Sequence, residues 1–570
     1  MKATSAADVP QRAPSTLGDL LMIAAREYGD RTALAVDEDE YTYAELLAAS
    51  ARRAAALRRI GIRRGDHVAL FLPNGAEFVE LLFANALLGA VTVPLGSRFQ
   101  VTELAHAVPH SQAKLVVTGG AEAFGDHQER LARALPELAG LAGRPPRVDG
   151  PGLAGVVSLG EARVPGVTAG AGVWDGVDEE QSAAVLEGAA QVRGRDEAVL
   201  LYTSGTTANP KAVRHPHEAI VRNGIETGRT RFLLTSADLF WDPLPMTHVA
   251  YLLPLVAVVD AGATMLATRH FDARSGLDAI ERRRATWLYP AFPAVANDIL
   301  EDPTFAGRDL GAVRMMMLIG LPAQLRRLRD ALPHADLISC YGSTETCGVI
   351  VYHEPEDEPA VRLETSGRPM RGIEVVAGDP VTGEHLPPGE VGEILVRGHC
   401  ILDGYFRDDT GGPAVVDADG WFHTGDLGVM DERGRLGYRG RVKEMMKVGG
   451  ENVAAAEVES LLMEHPAVLA VQAVGVPDDR LGEVVGVVVQ LAVDAGGGID
   501  AETVIGHCRG VLAGYKVPRH VGLVETWPMS ATKIKRNEVR RLLVAAVSGA
   551  PAPGLDLLTP AVPAMESTSS

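Results

Sequence analysis

From residue 16 to about residue 341 the chain alternates short apolar runs with segments of helical periodicity, and this alternation restricts the fold more than any other feature. Apolar residues recur at helical spacing over 16–28 and over 43–60, the second around Leu46, Leu47, Ala51 and Leu57. Apolar runs at 68–72, 91–93 and 115–118 read as strands, and 77–88 between the first two has helix-length periodicity. The pattern resumes with strand 198–202, strand 263–267, helix 277–284, strand 287–289, helix 322–332 and strand 337–341. Neighbouring parallel strands need a crossover, usually helical, so this order predicts an α/β fold on a mostly parallel sheet.

At 570 residues the chain exceeds one ordinary core, so at least two domains are expected. Strand signals thin between 119 and 195, where Gly, Pro, Ala and Glu dominate, and the stretch is expected to contain a surface excursion, with 121–138 helical. From 372 onward, short strands such as 392–396 and 436–438 are broken by Gly, Pro and Asp, predicting a small antiparallel or barrel-like subdomain. After 441 comes a compact α+β order: helix 454–464, strands 468–476 and 484–491, helix 501–508. The division expected is a large N-terminal domain of layered, mostly parallel sheets and helices (1–440), a small mobile α+β domain (441–545), and a disordered tail (546–570).

A hydrophobic fraction of 46% beside 22% charged residues describes a globular protein, and the net charge of -20 argues against binding nucleic acid or an anionic membrane through the overall field. Residues 1–11 lack a signal-peptide pattern and no apolar run reaches membrane-spanning length, so a cytoplasmic protein is expected. Cys340, Cys347, Cys400 and Cys508 show no paired spacing and read as small buried hydrophobes rather than a disulfide framework or zinc site.

The chemistry begins where strand 198–202 runs into Tyr202-Thr203-Ser204-Gly205-Thr206-Thr207-Ala208-Asn209-Pro210-Lys211. Four Ser and Thr hydroxyls, a permissive glycine and an ammonium can surround an anion with donors, at a strand end where open α/β sheets bind ligands. The alternative is a Ser/Thr-rich surface turn. The spacing is not that of a GxxxxGK[ST] loop, because the lysine follows Pro210.

This stretch resembles the phosphate-binding signature of the adenylate-forming enzymes, the superfamily of acyl-CoA synthetases, luciferases and peptide-synthetase adenylation domains, with Ala208 and Ala212 where glycine is usual. Over about residues 15–545 further segments resemble the superfamily's motifs in order. Cys340-Tyr341-Gly342-Ser343-Thr344-Glu345 matches its YGxTE segment, which implies Tyr341 and Gly342 beside adenine, Thr344 toward phosphate, and Glu345 as ligand of the Mg²⁺ that accompanies ATP. Pro245-Met246-Thr247-His248 stands where a PxFH-like motif borders the acid pocket, with His248 near the carboxylate and Thr247 in place of an aromatic. Gly320, after Leu318-Ile319 in place of a glycine pair, would help form the adenine and acyl-side wall. Asp426 in Trp421-Phe422-His423-Thr424-Gly425-Asp426 is implied to bind the ribose, with Arg441 a second ribose or phosphate contact. Lys443 takes the hinge position, and Gly449 and Gly450 the loop that meets the thiol donor. Lys533, in Pro528-Met529-Ser530-Ala531-Thr532-Lys533-Ile534-Lys535-Arg536, is implied as the mobile catalytic lysine, with Lys535 the alternative; here the glycine that usually precedes the lysine is missing.

The resemblance implies an AMP-forming ligase. Thr203, Ser204, Gly205, Thr206, Thr207 and Lys211 would hold the phosphates while an acid is adenylated and then transferred to coenzyme A. A stand-alone enzyme loading a carrier protein fits the same motifs; a luciferase-like oxygenase and a non-catalytic nucleotide-binding homologue are further alternatives. A homodimer is compatible with the sequence. Val249-Ala250-Tyr251-Leu252-Leu253 offers no charge for an ammonium, so an apolar or bulky alicyclic acid is expected. Thr247, Gly342 and Gly348 would leave room for bulk, unless Phe292 and Met315 to Met317 shape a narrow tunnel.

Overall fold

The computed structural model describes residues 13–119, 121–122, 125–203, 210–402, 404–407, 415–492, 500–529 and 534–558. The architecture is two-domain α/β, with a large N-terminal part of sheets and helices and a smaller C-terminal α+β part. The described N-terminal residues form two seven-stranded sheets. In the first, Asp336–Ile338, Met315–Leu318, Trp287–Ala291, Leu239–Trp241, Thr264–Ala267 and Thr32–Val36 lie parallel in that spatial order, and Asp39–Thr42 closes the edge antiparallel. In the second, the order is Lys211–Pro216, Glu197–Thr203, Val91–Pro94, His67–Phe71, Leu115–Thr118, Gly155–Ser158, Val167–Thr168. Of its pairings, Glu197–Thr203 with Lys211–Pro216 is antiparallel and the others parallel.

Local chemistry sets the element ends. Thr16 caps helix Leu17–Tyr28 by accepting from the Asp19 amide, and Thr42 with Glu45 forms a capping box ahead of helix Tyr43–Arg59. Helix Val249–Ala261 is buried around most of its surface, which is why its sequence is apolar on all sides.

Several expectations need correction. The stretch 119–195 is no mere surface excursion: Gly155–Ser158 and Val167–Thr168 extend the second sheet, and helix Glu179–Gly188 follows. These strands are too short to stand out among the surrounding Gly and Pro. The single strand expected over 337–341 divides at Ser339, whose amide donates to His353 Nδ1 at 3.0 Å. Asp336–Ile338 stays in the first sheet, while Cys340–Ser343 turns into a three-stranded antiparallel sheet with Gly348–Tyr352 and Arg368–Pro369. The hairpin made by Thr32–Val36 and Asp39–Thr42, and helix Val101–His110, were not expected.

The subdomain expected after residue 372 is an antiparallel ladder of Ile373–Gly378, Val391–Gly398, Phe422–Met430 and Leu436–Arg441. The C-terminal part is a mixed sheet whose long strands Val468–Asp478 and Gly482–Leu491 pair antiparallel, packed by helices Ala455–Leu462, Ala501–Cys508 and Arg536–Val547. The segment expected as a disordered tail from 546 begins inside that last helix, and Leu555–Leu557 adds an edge strand to His520–Val524. All four cysteines are free and buried, and burial pushes the Cys400 thiol up to about 12 and the Cys508 thiol to about 11. Among the described residues no helix is long and apolar enough to cross a membrane.

Candidate active site

Side-chain contacts join Lys211 to Glu345 through Tyr405, and Tyr341 to Asp426 and Arg441. In the first sheet the neighbours of Leu239–Trp241 are Thr264–Ala267 on one side and Trp287–Ala291 on the other, so sheet-building reverses direction at this strand. Open α/β sheets bind ligands outside the carboxyl end of such a strand. That end continues into Asp242 and the turn leading to His248, the N-cap of helix Val249–Ala261. Asn74, which the sequence did not single out, holds this turn in place. Its Nδ2 donates to the Leu244 carbonyl at 2.9 Å and to the Thr268 carbonyl at 3.2 Å, and its Oδ1 accepts from the Met246 amide at 2.9 Å.

The stretch expected to hold phosphate is flanked by two strands that pair antiparallel. Thr203 pairs with Lys211 and Tyr202 with Ala212. Ser204, Gly205, Thr206, Thr207 and Ala208 lie outside the described residues. Ala212, a departure from the usual glycine, is fully buried within strand Lys211–Pro216, where its methyl joins the apolar cluster and its backbone needs no positive φ.

Lys211 Nζ stands 4.5 Å from the centre of the Tyr405 ring, and the Tyr405 hydroxyl donates to Glu345 Oε1 at 3.0 Å. Tyr405 therefore joins the lysine of one motif to the carboxylate of another. It is fixed by a bridge to Val213 and by the next residue, whose amide donates to the Ala212 carbonyl. Its sequence signal, an aromatic pair with Phe406 after Gly404, is too weak to single it out.

On the nucleoside side, the Tyr341 hydroxyl donates to Asp426 Oδ2 at 2.8 Å, and Arg441 Nε donates to Asp426 Oδ1 at 2.8 Å. Burial raises the Asp426 pKa, opposed by Arg441 and by the Tyr341 hydrogen bond. The Tyr341 ring lies stacked against Tyr438, with centroids 6.1 Å apart. Thr344 lies in the turn between Cys340–Ser343 and Gly348–Tyr352, where its carbonyl accepts from the Cys347 amide.

Gly342 does not open the pocket as expected: a Cβ there would collide with the Gly348 carbonyl and the Val349 backbone. It is a glycine because two strands approach closely. Gly348 is held at φ +92, and its missing side chain faces Leu253 and Val249 of the helix that follows His248. Gly320 sits between strand Met315–Leu318 and helix Pro322–Ala331, against the Gln324 side chain that caps that helix. Met315, Met316 and Met317 are buried in the first sheet.

Beyond Arg441, exposed Lys443 lies in the short turn Val442–Glu444. Gly449 and Gly450 have positive φ (61 and 94) and form the two-residue turn between Met445–Val448 and Glu451–Ala454. They are exposed, and the Gly449 amide donates to the Leu481 carbonyl. Lys533 lies outside the described residues, but its flanks are fixed: Met529 bridges Ile534, and the Lys535 amide donates to the Pro528 carbonyl. Arg536 anchors the same segment, with Nη1 2.7 Å from Glu459 Oε1 and Nε 3.4 Å from Glu444 Oε2.

The family model for AMP-binding enzymes matches residues 21–406, and that for the AMP-binding enzyme C-terminal domain matches 457–533. A putative acyl-CoA synthetase, YngI of Bacillus subtilis (strain 168), is 31% identical over 92% of this chain and 96% of its own length. A methyl-dioxo-octahydroindenyl propanoyl:CoA ligase of Mycobacterium tuberculosis is 32% identical over 91% of this chain and 97% of its own. Among solved structures, the o-succinylbenzoate CoA synthetase MenE of Bacillus subtilis, in complex with its acyl-adenylate intermediate, superimposes with a TM-score of 0.74 at 26% identity, covering 91% of this chain and 97% of that one.

Proposed function

The chain belongs to the AMP-binding enzymes and is an ATP-dependent acid–thiol ligase, and from that premise we propose that its acid is apolar or a bulky alicyclic one, joined to coenzyme A. The observation that carries the reading is the pairing of two unlike surfaces. A polar constellation runs from Arg441 and Asp426 through Tyr341 and, past Thr344, to Glu345, Tyr405 and Lys211. Beside Gly348 at the edge of that constellation stands the apolar helix that begins at His248. The first suits a nucleotide; the first turn of the second carries no acidic side chain to pair an ammonium. The relative named for an octahydroindenyl propanoyl substrate supports an alicyclic acid.

In this reading the carboxylate oxygen attacks the α-phosphorus of ATP and pyrophosphate leaves. The thiolate of coenzyme A then attacks the acyl carbon, with AMP as leaving group. Little covalent help is needed from the protein, and much charge neutralisation. Thr203 and Lys211 serve the phosphates, Asp426 the ribose, Tyr341, Gly342 and Gly320 the adenine side, and His248 the carboxylate. Mg²⁺ entering with ATP would be met by Glu345. Among the described residues no group of three or more His, Cys, Asp or Glu could hold a metal, and one carboxylate fits a cation that keeps its phosphates and waters. The ion would supply charge neutralisation at the phosphates.

Lys533 bridges carboxylate and α-phosphate in the first step. Rotation about Lys443, between a 1–440 unit and a 441–545 unit, then withdraws it and presents Gly449 and Gly450 to the thiol. Exclusion of water during this exchange protects the adenylate. A panel of apolar, aromatic and amino acids supplied with ATP and either coenzyme A or a phosphopantetheinylated carrier protein tests the proposal by mass spectrometry of the thioesters. Thioesters of apolar acids on coenzyme A are expected. Products confined to the carrier, or to amino acids, would overturn it.

A further inference from the structure

Beneath the phosphate hairpin lies an imidazole and aromatic cluster that the reaction scheme does not use. Helix Val101–His110 contributes His106 and His110, whose rings stack with centroids 5.0 Å apart. The Tyr202 hydroxyl donates to the Ala107 carbonyl at 2.9 Å, and its oxygen lies 2.8 Å from His110 Nδ1. With the phenolic proton committed to the carbonyl, His110 Nδ1–H is the donor to Tyr202. His106 Nε2 lies 3.4 Å from the Pro210 carbonyl, which can only accept, so Nε2–H points at it. Phe406 packs edge-on against His110, and its amide donates to the Ala212 carbonyl.

Tyr202 immediately precedes Thr203, and Pro210 immediately precedes Lys211. One helix thus holds both shoulders of the hairpin, one through each histidine. We propose that His106 and His110 are positioning residues which fix Thr203 and Lys211 for the triphosphate of ATP, without touching it. The inference rests on the reading of 203–211 as the phosphate grip. An ordinary packing role would make the two histidines exchangeable for apolar residues of similar size. A positioning role makes the N–H groups matter.

The test compares His106→Gln, which keeps a donor, with His106→Leu, which fills similar space without one. Each is measured by steady-state kinetics with ATP, acid and coenzyme A varied in turn, and by its thermal unfolding midpoint. The expected result is a KM for ATP raised roughly three- to tenfold in His106→Leu, the range of one net hydrogen bond, with Gln restoring most of it. The KM values for acid and coenzyme A should stay within about twofold, inside that same bound. The corresponding pair at His110 should behave alike. Equal KM for ATP in the Leu and Gln variants, or a parallel rise for all three substrates, would overturn the inference. A wild-type protein that turns over while Lys211→Ala leaves its KM for ATP unchanged would instead remove the reading of the phosphate grip on which the inference stands.

Discussion

The proposed nucleotide side and the proposed acid side of this site differ in what they are built from. On the nucleotide side, side chains from distant segments meet in directional contacts: Tyr341 and Arg441 converge on Asp426, and Tyr405 spans Lys211 and Glu345. On the proposed acid side, the helix starting at His248 opens with apolar side chains, and Asn74 holds the turn before it through bonds to backbone. A ligand shared by a whole family is recognised through fixed donors and acceptors; a ligand that differs between members is recognised through shape. Losses on the first side should therefore be large and general, and on the second small and specific to the acid.

On the proposed mechanism, replacement of Lys533 should give the largest effect. Lys533→Ala is expected to slow adenylation about 10²- to 10³-fold, the scale of losing one transition-state donor, while thioester formation from supplied acyl adenylate stays close to wild type. Rapid-quench measurement of each half-reaction checks this, and equal losses in both would contradict the role given to Lys533. Asp426→Ala comes next, because it strands both the Tyr341 hydroxyl and the Arg441 guanidinium. Loss of a charged hydrogen-bond partner costs roughly 1.5–3 kcal/mol, so the KM for ATP should rise about ten- to a hundredfold with every acid alike. Tyr405→Phe keeps the ring beside Lys211 and removes only the donor to Glu345, so adenylation should fall roughly three- to tenfold, whereas Tyr405→Leu should lose more. Thr247→Phe, on the acid side, should shift the ratio of kcat/KM between bulky and slender acids by about tenfold in favour of the slender ones and leave the KM for ATP unchanged. A uniform loss across acids would blur the contrast between the two sides.

The same contrast explains what the sequence made legible. Tyr341, Asp426 and Arg441 stood out because their segments keep the superfamily's spacing, and hydrogen bonds join the three in the structure. Tyr405 and Asn74 went unread because their partners are distant in the chain, and neither an isolated tyrosine nor a Pro-Asn-Gly turn announces a partner. The division of the strand at 339 was missed since Leu337 to Tyr341 is nearly continuous in hydropathy, whereas the Ser339 amide turns to His353. Gly342 was read for the space it leaves, although the facing backbone already fills that space. The parallel sheets themselves were legible because their buried strands are apolar runs of the right length, bounded by helices.

The most direct test of the central claim is isotope exchange between pyrophosphate and ATP, measured over a broad panel of acids without any thiol present. The account predicts acid-dependent exchange, strongest with apolar acids, and stoichiometric AMP with pyrophosphate once coenzyme A is added. Release of ADP and phosphate, or no exchange with any acid, would contradict it.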